Sequence, residues 1–234
     1  MSYTKRKDGR KFDEMRKIKA EVGVIKNANG SAKFQIGDTI AIAAVYGPRN
    51  LYPKFLQNPE EGKLRCNYNM LSFSVDERIR PGPSRRSKEI GLVTERALSP
   101  TVNLKEFPNA VVDVFVEIIQ ADAGTRCAGI CAAAMALADA GIPMKDLVSA
   151  VSVGKVGDKL VVDLDKSEED YEEGATDMPV AILPRSDEIS LLQLDGEMEA
   201  KEIIKALEMA KKACLELNKI QKEAIRKKYK GEGK

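Results

Sequence analysis

The chain has 234 residues, 43% of them hydrophobic and 32% charged, a balance that supports an ordinary buried core and excludes an intrinsically disordered polymer. Net charge is only +2, from 38 basic and 36 acidic side chains, so affinity for a polyanion must come from local clustering rather than from the overall field. Histidine is absent, which excludes Ser-His-Asp, Cys-His and His-ligated metal chemistry and leaves carboxylates, arginines, lysines, hydroxyls, backbone amides or a hard cation such as magnesium.

The opening MSYTKRKDGRKF is basic but carries no apolar stretch of signal-peptide type, and no apolar run reaches the ~18–20 residues that span a bilayer. A cytoplasmic protein with no membrane contact is expected. Ile18–Ile25 alternates apolar and other side chains, Asn27-Ala28-Asn29-Gly30 supplies turn chemistry, and Ser31–Ile36 alternates again, which predicts a β-hairpin. Thr39–Tyr46 is nearly all apolar and fits a strand buried on both faces or a short buried helix. Tyr68–Val75 reads as a further strand. Arg78-Ile79-Arg80-Pro81-Gly82-Pro83-Ser84-Arg85-Arg86 is a Pro/Gly loop loaded with arginine that enters a helix, with Ser87 as its cap and Pro100 as its stop.

Val111–Ile119 is a strong strand. It leads through Gln120-Ala121-Asp122-Ala123-Gly124 into an alanine-rich helix, Thr125–Ala140, closed by Gly141-Ile142-Pro143. Strands follow at Leu147–Val156, Lys159–Leu164, Met178–Pro184 and Glu188–Leu194, and an amphipathic helix over Glu197–Lys227 ends the pattern. No repeat, linker or composition break divides Met1 to Lys234, so one domain of mixed α/β (α+β) class is expected, with β-hairpins packed on helices. Cys66, Cys127, Cys131 and Cys214 show no zinc-site spacing and read as reduced, mostly buried thiols.

Three segments carry residue types suited to chemistry. A helix start at Thr125 offers unpaired amides and a positive dipole end; Gly124 lets an anion approach, while Thr125 adds a hydroxyl and Arg126 a planar pair of donors. The competing reading is a helix capped by Asp122 or Thr125 with Arg126 in solvent. The arginines at positions 78, 80, 85 and 86, with Arg65, suit a phosphodiester backbone, against which stands a merely solubilising loop with little aromatic interleaving beyond Tyr68 and Phe73. Among the acidic residues from Asp163 to Asp177 most read as surface charges around a turn. Asp177 differs, because it precedes the apolar Met178–Leu183 and so can hold magnesium or deliver a proton.

These residues carry a resemblance. Arg6-Lys7-Asp8-Gly9-Arg10, Ala28-Asn29-Gly30-Ser31-Ala32 and Ala44-Val45-Tyr46-Gly47-Pro48-Arg49 are similar to the RNase PH-like ring subunits of the archaeal exosome. Ser87-Lys88-Glu89-Ile90 and Gln120–Arg126 resemble RNase PH itself. The resemblance implies the RNase PH-like fold, with mixed sheets packed on helices and a long C-terminal helix. It implies a catalytic subunit that alternates in a six-membered ring with a related non-catalytic partner, under RNA-binding caps. Inorganic phosphate would attack the 3′ end of single-stranded RNA to release nucleoside diphosphates, and the reverse reaction would add tails. Gly124, Thr125, Arg126 and Arg86 match the family's phosphate-binding residues and Asp177 its catalytic aspartate. Arg85 and Arg65 are similar to its RNA contacts, and Asp170 stands for an upstream acidic residue that would share a magnesium ion with Asp177. The principal rival is a non-catalytic RNA-binding scaffold of the same ring; a two-metal hydrolase would need several converging carboxylates.

Overall fold

The computed structural model describes residues 3–172 and 174–231. Five strands form one sheet: β1 (Ile18–Val22), β2 (Gly30–Ile36), β3 (Thr39–Asn50), β4 (Lys63–Met70) and β5 (Ala110–Gln120), in the order β1-β2-β3-β5-β4. Only the β4–β5 pair is parallel. Between those two strands the chain makes helix α1 (Arg85–Leu98), which crosses back and packs on β4. The second sheet is antiparallel, ordered β7-β6-β8-β9, from β6 (Ser149–Val156), β7 (Lys159–Val162), β8 (Ala175–Leu183) and β9 (Glu188–Leu192).

Helix α2 (Thr125–Asp139) lies between the sheets and touches β2, β3 and β5 on one side and β6 and β8 on the other. Its alanines, glycine and small thiols explain this placement, because a helix apolar on every side must be covered on every side. All of its residues except Arg126 and Ala138 are buried. Small residues also let backbones meet: a Cβ on Gly30 of β2 would fall 2.2 Å from the amide nitrogen of Ala140. The long helix α4 (Ala200–Gly231) covers β1, β6 and β7 with its apolar stripe.

The structure moves several expected elements. The strand expected at Tyr68–Val75 begins earlier, at Lys63, because pairing with β5 starts at Lys63↔Val111 and ends at Met70↔Ile118. In β3, only the face toward α2 is fully buried; Ile40 and Ile42 on the other face are half-buried. Helix α1 is capped by Ser84 rather than Ser87, in a reciprocal capping box that uses both serines. Within the acidic run a short helix, α3 (Lys166–Glu169), forms where a plain turn was expected, again closed by a capping box, Asp165 with Glu168.

That run is also less superficial than its charge indicates: Asp163 and Glu168 are 2% and 1% exposed. Their partners come from the basic N-terminal segment. Arg6 donates to both oxygens of Glu168 at 2.8 and 2.7 Å and spends its remaining donors on the carbonyls of Lys11, Glu14, Val162 and Asp163. Arg16 grips Asp163 through Nε and Nη2 at 2.9 and 2.7 Å. Two of the residues in the Lys5–Lys19 cluster are therefore internal clasps, Arg6 fixing α3 to the end of β7 and Arg16 tying Asp163 to the turn at Asp122.

Candidate active site

Strand β5 ends at Gln120, and the turn that follows places Ala123 and Gly124 in the left-handed region at φ 57° and 63°. This pair of residues swings the chain into α2 with its first amides facing outward. Thr39 braces the turn, donating to the Ala123 carbonyl at 2.6 Å and accepting from the Asp122 amide at 2.9 Å. Gly124 occupies the cap position, and no side chain caps α2 among the described residues. Asp122 does not cap it, since its carboxylate accepts from Arg16 Nη1 and from the Lys166 amide, both at 3.1 Å. The helix thus presents unsatisfied amides and the positive end of its dipole beside Thr125 and Arg126.

Arg126 leaves the first turn of α2 and is only 20% exposed at its side chain. Its Nη1 donates to Gln193 Oε1, Gln193 Nε2 donates to Glu89 Oε1 at 3.1 Å, and Glu89 lies 3.8 Å from the guanidinium. The fork is held by the Gln193 amide and by one countercharge, Glu89 of α1, which leaves its other donors to a ligand.

Asp177 reaches the same place from β8, opposite Gly154 of β6. The two strands approach so closely that a Cβ on Gly154 would lie 1.9 Å from the Thr176 carbonyl oxygen. Ser152 Oγ donates to Asp177 Oδ1, and the backbone of Asp177 exchanges two hydrogen bonds with Asp195, at 2.9 and 2.8 Å. Burial pushes the Asp177 carboxyl above the usual carboxylate range, against the opposing pull of Ser152, Arg126 and Arg86, with Asp195 adding to the rise. Glu169 of α3 feels the charge of Asp177: burial first, then Asp177, drive its pKa up to about 7, with Lys166 and Arg86 opposing.

Gly124, Thr125, Arg126, Arg86 and Asp177 therefore gather around one site, with Arg86 exposed at its rim. Arg85 is exposed beside it and forms no ion pair among the described residues. Arg65 lies elsewhere. It alternates away from the α2 face of its sheet, and with Arg49 it pairs with Asp113, a fully buried carboxylate on the sheet's outer face. Asp170 also faces away, 60% exposed and bonded to Lys166 Nζ at 2.6 Å, because the last turn of α3 directs Glu169 rather than Asp170 inward. Ser152, Gln193 and Glu169 are site residues that the sequence reading missed. Only the register of β6 on β8 and the fold of α3 bring them in. No group of three or more carboxylates or thiols suited to a metal ion occurs among the described residues, and none of their helices is long and apolar enough to cross a membrane.

Comparison with known proteins identifies the family and the fold. Two models of a 3′ exoribonuclease family match the chain, domain 1 over residues 14–143 and domain 2 over residues 146–213. The exosome complex component Rrp41 of Pyrococcus abyssi is 53% identical over 225 residues, covering 96% of this chain and 90% of that protein. The component of the same name from Methanopyrus kandleri is 50% identical over 227 residues, covering 97% and 94%. Among solved structures, the Archaeoglobus fulgidus exosome with RNA bound to the active site superposes with a TM-score of 0.78 at 25% identity over 92% of each chain. Rice Rrp46, at 24% identity, shares the fold with a TM-score of 0.84 over 94% of this chain and all of its own.

Proposed function

Because the chain belongs to the 3′ exoribonuclease family, we propose that the site described above degrades RNA from its 3′ end with inorganic phosphate as the attacking group. The observation that carries this reading is the meeting of an uncapped α2 N-terminus and Arg126 with a buried carboxyl, Asp177, whose proton affinity is raised. The first two suit a phosphate dianion; the third suits a leaving oxygen that needs a proton. Phosphoryl transfer asks little covalent help of a protein beyond alignment and charge neutralisation, so a chain without histidine can perform it.

In this reading the α2 amides, Thr125 and Arg126 hold phosphate, and Arg86 spans phosphate and the scissile diester. A phosphate oxygen attacks the terminal phosphorus, the bond to the 3′ oxygen breaks, and Asp177 gives that oxygen its proton. A nucleoside diphosphate leaves, and the reverse sequence adds a nucleotide. Magnesium is commonly held by one or two carboxylates together with phosphate oxygens, and the pair Asp177 and Glu169 would fit that donor set if Asp177 serves as a carboxylate ligand in place of a proton donor. It would supply neutralisation of charge developing on the phosphoryl oxygens. Arg85 at the rim would continue the basic surface for the single-stranded RNA, and Arg65, on the outer sheet face beside Asp113, would meet the strand at a separate point.

The relatives named as exosome complex components support membership of a larger complex, which in this reading is a ring that alternates the chain with a related non-catalytic subunit around six positions under RNA-binding caps. The same reading puts the enzyme in the cytoplasm, in keeping with four free cysteines. The test is degradation of a 5′-labelled single-stranded RNA by the chain with its ring partner, with and without phosphate, against Asp177→Ala. Phosphate-dependent shortening that yields nucleoside diphosphates and disappears in the variant is expected. RNA binding without shortening would instead support a scaffold role.

A further inference from the structure

Tyr68 lies on β4 opposite Val116 of β5, on the sheet face that receives α2. It is 5% exposed, and its hydroxyl makes no hydrogen bond of full geometry among the described residues, the Thr125 hydroxyl being its hydrogen-bonding neighbour. An orphaned buried hydroxyl costs about 1–3 kcal/mol, so a native fold retains one only where something compensates for it. Its place is informative. A Cβ on Gly129 of α2 would meet Tyr68 Cε2 at 3.6 Å and Val116 Cγ1 at 3.1 Å, so the absence of a side chain at Gly129 admits the ring against the helix. Thr125 lies four residues before Gly129 on the same helix face, one turn toward the N-terminus. The Thr125 hydroxyl, Arg86 and Arg126 all act on the phenol, opposing the upward push that burial gives its pKa.

We propose that Tyr68 is a positioning residue that turns the Thr125 hydroxyl toward a phosphate oxygen bound at the start of α2. The inference rests on the phosphorolytic reading and adds a residue to it. A hydroxyl has one proton to donate and two lone pairs to offer. When an anion accepts the Thr125 proton in a hydrogen bond, the Thr125 oxygen turns a lone pair inward, and the Tyr68 hydroxyl donates to it. The phenol, whose approach to Thr125 falls short of full hydrogen-bond geometry in the ligand-free protein, gains a well-formed bond in the loaded protein. No covalent bond changes and both protons stay on their oxygens.

The experiment compares Tyr68→Phe, Thr125→Val and the double variant in the full chain assembled with its ring partner. It measures KM for inorganic phosphate, kcat at saturating phosphate, RNA affinity without phosphate, and the melting midpoint with and without phosphate. Tyr68→Phe should raise KM for phosphate about five- to tenfold, a hydrogen bond's worth, and leave kcat within about twofold. The ligand-free midpoint should stay level or rise, since an unsatisfied group is removed, while the upward shift caused by phosphate shrinks. In the Thr125→Val background the second change should add less than about twofold. An unchanged KM for phosphate, a full multiplicative effect in the double variant, or a loss of RNA affinity in its place would each overturn the proposal; the last would give the hydroxyl to the scissile diester. If the wild type shortens RNA without needing phosphate, the underlying reading fails instead, and the two failures are thus distinct.

Discussion

Replacing Arg6 by methionine tests whether the N-terminal clasp sets the stability of the acidic segment. The guanidinium and the Glu168 carboxylate are 0% and 1% exposed, bound through two nitrogens at 2.8 and 2.7 Å. Methionine preserves much of the stem's volume but leaves Glu168 with Tyr3, at 2.6 Å, the Asp165 amide, and Arg10 as a more distant cation at 4.0 Å. Breaking a buried pair by removing one partner typically costs about 3–5 kcal/mol, most of it the penalty of the stranded charge. At about 2–4 °C per kcal/mol for a chain of this size, the melting midpoint should fall by roughly 10 °C. Urea unfolding of the single variants and of the Arg6→Met, Glu168→Leu pair measures it directly. The double variant should recover a good part of the loss, because no charge is then left unpaired. A loss under about 1 kcal/mol for Arg6→Met, or a double variant no more stable than the single, would refute the argument. Glu169 adjoins the clasped residue, so Arg6→Met should also reduce turnover at temperatures where the fold is intact.

Gly154→Ala puts a methyl 1.9 Å from the Thr176 carbonyl oxygen, forces β6 from β8 beside Asp177, and should cost roughly 3 kcal/mol or more in urea melts while abolishing turnover. Glu169, raised from 4.5 to about 7 in the fold, binds a proton more tightly folded than unfolded. Its contribution to stability is therefore full below pH 4.5 and lost as pH rises through about 7. Stability should drop by roughly 2 kcal/mol, after allowance for solvent screening, between pH 5 and pH 8, and Glu169→Gln should flatten that part of the profile. A profile identical to wild type would exclude Glu169 as its source. Arg65→Ala should weaken RNA binding about tenfold or less, reduce its salt dependence by roughly one unit of slope, and leave KM for phosphate unchanged in filter-binding and turnover assays. Although burial opposes it, hydrogen bonds from Arg65 and Arg49 hold the Asp113 carboxyl below its usual range. Removing both arginines should then destabilise the fold more than the two single losses together.

Local pattern made much of the fold legible. The β1–β2 hairpin, β5 and α2 follow directly from alternation, turn residues and helix-stop residues, since each was specified by neighbours in sequence. The turn into α2 and the place of Asp177 at the mouth of an apolar strand were readable as local features, whereas the roles proposed for them follow from the family resemblance. Other positions depend on partners far along the chain. Arg6 and Glu168 are 162 residues apart, and each alone looks like a solvated charge. Ser152 reaches Asp177 only through the β6–β8 register, and β4 begins where β5 pairs with it rather than where its own residues turn apolar. One signal was present and unused: Asp165 with Glu168 has the spacing of a capping box, which marks α3 and so directs Glu169 inward.

The enclosure of α2 between two sheets has a consequence in time as well as in space. Beyond its open first turn, its amides can exchange with deuterated solvent only when both sheets part, so they should be among the slowest in the protein, whereas residues 78–84 lie outside any strand or helix and should exchange early. The start of α2, if it holds phosphate as proposed, is accordingly finished before any polymer arrives and need not reorganise between one nucleotide and the next. An enzyme that repeats one cut many times along a strand gains from such a fixed seat, with the adjustment to each new 3′ end left to the arginine loop at its rim.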